Sequence, residues 1–450
     1  MKRIDTTVTL AWAVVLFVVP LPLLLALAYG LPGIYANELF GIELGVIAYT
    51  WMLAAVYLAC RPRWVDRTVG LPHMYMIHGV LALLAIAFAF VHQSLLPGAG
   101  ALVGTTGHMG LYLFMALAVW SLVFMAGWLS SRVRWIAAVR RALERAFRHE
   151  LSVWLHRLNL VAIALIVIHV HVIDYIAAIK PFILLFDAIT IAVFACYAWN
   201  AIERRAYALR AHVVSVRPLT DRVSELAIGF DGADAAKARW NPGDFAFIAF
   251  PGERGMHEYH PFSLTNAHDE DGHSGNAHGV TPPTMTFAIR ADGDFTTRIA
   301  TLRPGTRARV IPPYGRYAEF VRHHDDRAAR GERSGKAALV MVGGGIGVTP
   351  LIGLLRTFAG SGRAVDFLYT ANNERDFIYR DELERIGRTA PDTRVRMSTK
   401  RPDKKTLAGM VRPGAIYLVA GPQPMIDAVR DMLLDLGAAA DDIYDEPFSM

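Results

Sequence analysis

Long apolar runs dominate the first 205 residues, whereas the remaining residues alternate short apolar stretches with charged and turn-forming ones. A helix needs about 20 predominantly apolar residues to cross a bilayer core. Six runs meet this requirement, and they predict transmembrane helices at 8–29, 42–60, 73–96, 108–129, 152–176 and 181–202. The first run is longer than the apolar part of a signal peptide, so we expect a retained anchor.

The segments between these runs alternate in charge. Residues 61–67, residues 130–150 and the stretch that begins at Glu203 are rich in arginine, while 30–41 and 97–107 contain no Lys or Arg. Short basic loops stay on the cytoplasmic side of a membrane. We therefore expect a multi-pass protein of the cytoplasmic (inner) membrane, surrounded by lipid, with its N-terminus and its entire second half in the cytoplasm.

The second half contains two different patterns. Alternating apolar and polar residues with intervening turns predict a small antiparallel β-barrel over 207–325, and the charged segment 322–337 predicts a linker. "AALVMVGGGIGVTPLIGLLRTF" then predicts a strand, a glycine loop and a helix, a unit whose backbone N–H groups can bind phosphate. The predicted fold is a six-helix membrane bundle (1–205), a β-barrel domain (206–325) and an α/β nucleotide-binding domain (326–450).

Composition and charge narrow the class of protein. Hydrophobic residues make up 54% of the chain, and the mean hydropathy is +0.31. The net charge of +6 is modest, and because the basic residues flank the apolar runs we attribute the charge to membrane topology and expect no nucleic-acid partner. Cys60 and Cys196 are the only cysteines, which excludes a disulfide framework and a cysteine-ligated metal cluster.

Two of the apolar runs carry a histidine near each end. His78 and His92 are 14 residues apart, which is about 3.9 helical turns and about 21 Å of rise, so both face the same way at opposite depths. His156 and His169 repeat the arrangement with 13 residues between them. Haem iron accepts axial histidine, and the two pairs therefore predict two stacked bis-histidine haem sites.

The assignment of the second pair leaves an alternative open. Thirteen residues make about 3.6 turns of a straight helix, so His156 and His169 are out of phase, and His171 would be closer to the phase of His156. A proton relay is the alternative role for intramembrane histidines, and it would make the protein a transporter or proton channel.

These features resemble the ferric reductase and NADPH oxidase superfamily over nearly the whole chain. Proteins of this family fuse a six-helix haem domain to a ferredoxin-reductase-like module that binds FAD and NAD(P)H. The resemblance implies two haems b, bound through His78 and His156 and through His92 and His169, and it favours His169 over His171.

The resemblance also assigns motifs of the soluble half. "HPFSL" resembles the flavin motif, and it implies that Phe262 packs on the isoalloxazine and Ser263 hydrogen-bonds near its reactive nitrogen; with Phe448 near the C-terminus, these would be the catalytic residues. The other implied cofactor-binding residues are His260, Pro261, Leu264, Arg290, Gly293, Phe295 and Thr296 for FAD, and Gly343, Gly344, Gly345, Gly347, Thr349, Pro350, Gly421, Pro422 and Met425 for the nicotinamide dinucleotide.

The chain departs from the family pattern at three points. Ala420 stands where many relatives have a cysteine beside the nicotinamide, which implies slower or differently arranged hydride transfer. Ser449 and Met450 follow Phe448, so the stacking role of that aromatic residue is in question. EF-hand calcium loops, which some relatives carry, have no counterpart in the sequence, and we expect no calcium control from within this chain.

The implied activity is an electron relay from cytoplasmic NAD(P)H through FAD and two haems to an acceptor on the outer side. Ferric iron is the favoured acceptor; dioxygen, which would make the protein a superoxide-producing oxidase, and a periplasmic acceptor protein are the alternatives. NADPH is favoured over NADH because "YTANNER" supplies no acid directly after its strand, and Arg375, Ser398, Lys400 and Arg401 could bind a 2′-phosphate. His268, His273 and His278 form a further candidate metal loop.

Overall fold

The computed structural model describes residues 2–96, 100–124, 149–268, 283–331 and 335–446. The described chain divides into two compact units. Arg3–Ile202 makes up the body of the first unit, which is helical, and the body of the second begins at Glu203 and contains all the strands.

The helical unit follows the apolar runs. Its helices are α1 (Lys2–Ala13), α2 (Leu21–Gly30), α3 (Leu39–Ala59), α4 (Arg63–Val69), α5 (Leu71–Leu95), α6 (Ala101–Phe124), α7 (His149–Arg157), α8 (Asn159–His171), α9 (Asp174–Ala177) and α10 (Lys180–Tyr207), the last continuing into the second unit. By length and composition, six helical stretches of the described chain could cross a membrane: Val8–Gly30, Leu39–Ala59, His73–Leu95, Ala101–Phe124, Trp154–His171 and Lys180–Ile202.

The core of this unit lies on α3, which packs against α5, while α6 packs against α8. Thirteen residues of α3 are buried, among them Tyr49, Trp51 and Leu53. Small residues allow this close approach, because a Cβ atom on Gly41 would lie 3.0 Å from Leu96 and one on Gly110 would lie 2.6 Å from Ile166.

Three spans differ in detail from the prediction. The first contains a π-helical segment, Val14–Val18, just before Pro20, where the missing N–H of proline interrupts regular helix. The fourth begins at Ala101 instead of 108, because Thr105 donates a hydrogen bond of 2.8 Å to the Ala101 carbonyl and so satisfies its hydroxyl within the helix. The predicted end of this span at 129 and most of the loop 130–150 lie outside the described residues.

The fifth span is interrupted between His156 and His169, whose relative direction depends on the helix being continuous. α7 ends at Arg157 and α8 begins at Asn159, with Leu158 between them in a turn. Leu158 donates to the Leu155 carbonyl and Val161 donates to the Leu158 carbonyl, which are the short bonds of a tighter helix. The phase calculated for a straight helix therefore does not apply between His156 and His169.

The first sheet of the second unit has six antiparallel strands in the order β4-β3-β6-β1-β2-β5. The strands are β1 (Leu209–Thr220), β2 (Val223–Phe230), β3 (Phe245–Ala249), β4 (His260–Ser263), β5 (Thr284–Arg290) and β6 (Arg307–Tyr314), and a short helix α11 (Asp294–Ile299) follows β5. The edge strands approach each other through one isolated bridge, Leu264 to Phe287. Among the described residues this bridge is the only pairing between the two edges, so closure of the sheet into a barrel stays a prediction.

The predicted linker at 322–337 is wrong for its first half, which is helical. Helix α12 spans Tyr317–Ala329, and two contacts hold it on the domain that follows. His324 lies 3.3 Å from Asp442, both buried, and Arg363 donates two hydrogen bonds of 3.0 Å to Asp325. The charges of this segment therefore serve docking, although the composition resembles that of a solvated linker.

The second sheet is parallel, with the order β11-β10-β7-β8-β9. Its strands are β7 (Leu339–Gly344), β8 (Val365–Thr370), β9 (Thr393–Ser398), β10 (Ile416–Ala420) and β11 (Ile443–Asp445), and the connecting helices are α13 (Thr349–Phe358), α14 (Arg380–Thr389), α15 (Lys404–Ala408) and α16 (Gln423–Asp435). Ligands of such α/β sheets bind at the carboxyl ends of the strands, which is where β7 ends in the glycine loop.

Candidate functional site

The first histidine pair joins α5 to α7. The ring centres of His78 and His156 are 6.0 Å apart. Nδ1 of His78 lies 2.8 Å from the Ala55 carbonyl of α3, and Nδ1 of His156 lies 2.9 Å from the Ser121 hydroxyl of α6. Each ring is therefore oriented by a neighbouring helix.

The second pair joins α5 to α8. The ring centres of His92 and His169 are 6.4 Å apart. Nδ1 of His92 lies 2.7 Å from the Gly41 carbonyl, and Nδ1 of His169 lies 3.0 Å from the Val103 carbonyl. A carbonyl can only accept, so both Nδ1 atoms carry the proton and both Nε2 atoms keep a lone pair for a metal.

The spacing of both pairs fits a metal ion between two imidazoles. Two metal–nitrogen bonds of about 2 Å, and about 1 Å from each nitrogen to its ring centre, give about 6 Å between ring centres. Among the residues that the structure describes, no three His, Cys, Asp or Glu side chains are grouped to hold a metal. Porphyrin supplies four nitrogens of its own, so two facing imidazoles are the protein ligands that a haem would require.

His171, the alternative to His169, has a different partner. Its Nε2 lies 3.2 Å from the Asp187 carboxylate on α10, and its Nδ1 lies 2.9 Å from the Val167 carbonyl of its own helix. The structure thus brings His169, and not His171, opposite His92.

The predicted flavin residues meet at the edge of the antiparallel sheet. His260 to Ser263 form β4, where Phe262 pairs with Ala246 of β3, and the ring of Phe295 lies 4.1 Å from that of His260 and 6.0 Å from that of Phe262. Pro261 is opposite Phe247, and both Ser263 and Leu264 are buried. The two predicted flavin motifs are therefore adjacent in the fold.

The second flavin motif forms a compact turn after β5. Arg290 donates a hydrogen bond of 2.8 Å to Asp292, and the backbone of Asp292 donates one of 2.9 Å to the Thr296 hydroxyl. Thr296 in turn donates to the Gly293 carbonyl. An arginine and a hydroxyl beside a helix start are suitable donors for a pyrophosphate.

The predicted dinucleotide motifs meet at the carboxyl ends of β7 and β10. A Cβ atom on Gly347 would lie 2.5 Å from the Cα of Gly421, and one on Gly344 would lie 2.2 Å from Met425, which follows Pro422 on α16. Gly345 has a φ of +55°, a conformation that favours glycine. The loop continues from Gly343 to Thr349 and Pro350, where α13 begins.

A buried carboxyl group lies beside the flavin strand. Asp244 precedes β3, and its backbone carbonyl accepts a hydrogen bond of 2.8 Å from Leu264. The pKa of Asp244 is raised to about 7, mainly by burial and in smaller part by the nearby Glu446, against the opposing effect of the Asn241 backbone N–H that donates to its carboxylate. Glu446 itself accepts a hydrogen bond of 2.7 Å from the Arg316 backbone.

The two sheets of this unit are joined by a polar contact. Arg356 of α13 donates to the Thr265 carbonyl at 2.7 Å and makes two hydrogen bonds, of 2.8 and 2.7 Å, to Glu382 of α14. The hydroxyl of Tyr379, whose ring lies under Arg356, donates to Glu225 of β2 at 2.6 Å. This network fixes the parallel sheet relative to the antiparallel one.

Other predicted residues are not gathered into a site. Ser398 ends β9 and pairs with Thr370, and its hydroxyl accepts a hydrogen bond of 3.1 Å from the Lys400 backbone, while Arg375 is exposed. His268 stacks edge-on against Trp240 at 4.7 Å. His273, His278 and Phe448 lie outside the described residues.

Sequence reasoning missed the groups that orient the histidines. Ala55, Gly41 and Val103 act through backbone carbonyls, which every residue has, so no sequence signal marks them. Ser121 could have been noticed as a hydroxyl in an apolar run, and its distance of 35 residues from His156 gives no hint of the contact.

Comparison with known proteins bears on the second half of the chain. Residues 341–431 match the oxidoreductase NAD-binding domain family. The reductase component of propane 2-monooxygenase from Rhodococcus jostii is 24% identical over 261 residues, which are 54% of this chain and 64% of that protein. Ferredoxin–NADP reductase B from Sorangium cellulosum is 27% identical over 201 residues, 44% of this chain and 72% of that protein.

The chain thus spans less than two thirds of the first of these relatives. A solved structure, the flavohemoglobin of Malassezia yamatoensis, is 17% identical with a TM-score of 0.48, covering 93% of this chain and all of that one.

Residues 341–431 thus match an oxidoreductase NAD-binding domain, and the second half of the chain is similar to reductases that contain such a domain. An NAD-binding domain and six helical stretches apolar enough to cross a membrane occur together in the described chain, which is the combination that the resemblance drawn from the motifs implies.

Proposed function

We propose that this protein is a transmembrane NAD(P)H-dependent oxidoreductase that transfers electrons from the cytoplasm to an acceptor on the outer side of the cell membrane. The observation that carries the proposal is the presence of two pairs of facing imidazoles, with ring centres 6.0 Å apart in one pair and 6.4 Å apart in the other. Both lie in a helical unit that is fused to an NAD-binding oxidoreductase module. The alternating charge of the loops supports the cytoplasmic position of that module.

Two kinds of cofactor fit the residues present. His78 and His156 would hold one haem b and His92 and His169 a second, while the residues around His260–Leu264 and Arg290–Thr296 would hold FAD. Bound FAD would supply hydride acceptance and single-electron release, and bound haem would supply one-electron transfer. The protein positions these groups, and the hydrogen bonds at Nδ1 would raise the basicity of the iron ligands.

For the reductant we propose NADPH. The glycine loop Gly343–Pro350 and the residues Gly421, Pro422 and Met425 would bind the dinucleotide through backbone N–H groups. Arg375 follows β8, Ser398 ends β9, and Lys400 and Arg401 follow β9; the adenosine ribose of such cofactors lies beyond the strands of this kind of sheet. Basic and hydroxyl groups there favour a 2′-phosphate over a bare ribose.

For the acceptor we propose ferric iron. His92 and His169 would both serve as ligands of one haem, which would then supply electrons to an acceptor that does not bind its iron. Reduction of a chelated ferric ion requires the transfer of one electron only, and such an acceptor needs no bond to the haem iron.

The acceptor can be tested with membranes that contain the protein and are supplied with NADPH and a ferric chelate under air. We expect ferrous iron to form at the same rate with and without superoxide dismutase, and cyanide to leave the rate unchanged. His92→Ala should abolish ferrous iron formation and serves as the control for background reductases. Ferrous iron that disappears when superoxide dismutase is added would instead make dioxygen the acceptor.

A further inference from the structure

Each ring of the outer histidine pair, His92 and His169, lies directly against a glycine of a neighbouring helix. A Cβ atom on Gly45 of α3 would lie 2.7 Å from Nδ1 and 2.8 Å from Cε1 of His92. A Cβ atom on Gly107 of α6 would lie 2.9 Å from Cε1 and 3.0 Å from Nδ1 of His169. These distances are well inside the contact distance of about 3.5 Å for non-bonded atoms, so no other residue fits at either position without moving the ring.

The two imidazole rings have the same kind of surroundings. The carbonyl that accepts from His92 belongs to Gly41, one helical turn before Gly45, and the carbonyl that accepts from His169 belongs to Val103, one turn before Gly107. Residues four apart share a helix face. Each imidazole therefore meets a carbonyl oxygen and a glycine on the same face of the opposing helix.

Helix packing does not account for these two glycines. The Cβ position of Gly41 is blocked by Leu96 and that of Gly110 by Ile166, which are the aliphatic contacts of ordinary close helix packing. Gly45 and Gly107 have an imidazole as their nearest contact, and no described glycine has its nearest contact on His78 or His156. The feature is specific to the outer pair.

We infer that Gly45 and Gly107 are positioning residues that set the orientation of the outer axial ligands, an inference that rests on the proposed haem function. The ring of His92 is fixed at Nδ1 by the Gly41 carbonyl, and a metal at Nε2 would fix its other side. A methyl group on Gly45 would therefore tilt the ring and strain either the hydrogen bond or the metal bond. The same reasoning applies to Gly107 and His169.

The helix propensities of glycine and alanine predict the opposite effect of these substitutions on stability, so the two explanations can be distinguished by experiment. Alanine is preferred to glycine in a helix interior, so a substitution without steric consequence would be neutral or stabilising. Gly79 on α5 provides the matched control, because nothing lies within 4 Å of its Cβ position although it is adjacent to His78.

The test uses the purified full-length protein with the variants Gly45→Ala, Gly107→Ala and Gly79→Ala. The readouts are the haem-to-protein ratio, the midpoint potential of each haem and the low-spin electron paramagnetic resonance signals. His92→Ala and His78→Ala identify which signals belong to the outer and inner haem. We expect Gly45→Ala and Gly107→Ala to lose up to half of the haem or to shift only the outer signals, with the inner haem unchanged.

The inner haem, retained in the same molecule, shows that each variant is folded. Outer signals identical to those of wild type and Gly79→Ala would overturn the inference, and so would equal loss of both haems. A wild-type protein that contains no haem would overturn the proposed function itself, and the inference with it.

Discussion

Single polar groups decide how the candidate sites are set up. Carbonyl oxygens orient three of the four paired imidazoles, while His156 instead has the Ser121 hydroxyl at 2.9 Å and the Asn159 amide at 3.5 Å. A hydroxyl is a weaker and more adaptable partner than a carbonyl. The pair formed by His78 and His156 is therefore the less symmetric of the two.

Asp244 gives a prediction about pH and stability. Burial raises the pKa of Asp244 from 3.8 to about 7, so between these values the folded state keeps a proton that the unfolded state has lost. The free energy of unfolding should therefore fall as pH rises through this window, by on the order of 4 kcal/mol, and become level above it. Asp244→Asn should remove this contribution, as measured by thermal unfolding of the full-length protein across the pH range.

Asp221→Asn is the matched control, because Asp221 is exposed in the turn between β1 and β2. It should leave the pH dependence of wild type in place. If Asp244→Asn also retained the full decline, the carboxyl group would be ionised in the folded protein and its burial would carry no energetic cost.

Spacing in the sequence was sufficient to identify the four paired histidines and the alternative His171. It could not decide between His169 and His171, because the decision depends on the interruption at Leu158 and on Asp187, which lies 16 residues beyond His171. The contacts of Gly45 and Gly107 with these imidazoles could not be predicted from the sequence either, because a glycine in a membrane helix can serve several purposes.

At the scale of elements, the glycine loop after β7 is the clearest agreement between sequence and structure. The strand, loop and helix were predicted from one continuous pattern, and their residues from Met341 onward lie within the match to the NAD-binding family. The contact of Gly347 with Gly421 joins two segments that are far apart in the sequence. The loop can therefore approach the end of β10 this closely only if position 347 stays free of a side chain.

Gly347→Ala tests this contact. A Cβ atom 2.5 Å from the Gly421 backbone must displace the loop, and overpacking of this kind costs about 1–3 kcal/mol. If that cost falls on the binding site, the KM for NADPH should rise roughly tenfold or more, while flavin and haem contents stay as in wild type. Steady-state reduction of a ferric chelate by the purified protein measures the change.

Gly252→Ala is the control for Gly347→Ala, since nothing lies within 4 Å of its Cβ position. It should leave the KM for NADPH as it is in wild type. An unchanged KM in Gly347→Ala would mean that the loop does not bind the dinucleotide.

Two helical segments were predicted as loop or linker because their charged residues or glycines were given more weight than their hydrophobic periodicity. Residues 322–329, the last part of the helix Tyr317–Ala329, were predicted to begin a linker because their charges are dense, yet Asp325 pairs with Arg363 and His324 lies against Asp442. The first turns of α6 were read as a loop because they contain glycine and threonine. The first error follows from partners that lie outside the local sequence window, whereas the start of α6 contains a local hydrogen bond from Thr105 to the Ala101 carbonyl.

At the scale of the whole molecule, the chain combines an apolar six-helix unit with an NAD-binding oxidoreductase module. Either half alone is compatible with other functions, since histidines in membrane helices can relay protons and reductase modules serve many partners. Their fusion in one chain is what favours transmembrane electron transfer over a proton channel.

The most direct test of this account is the absorbance spectrum of the purified full-length protein, recorded anaerobically before and after NADPH is added, for wild type and His92→Ala. We expect wild type to show a Soret band with b-type bands that sharpen on reduction and to contain two haems, and His92→Ala to lose about half of this absorbance while still being reduced. A fully folded wild-type protein with no Soret band, or with haem that NADPH does not reduce, would contradict the account.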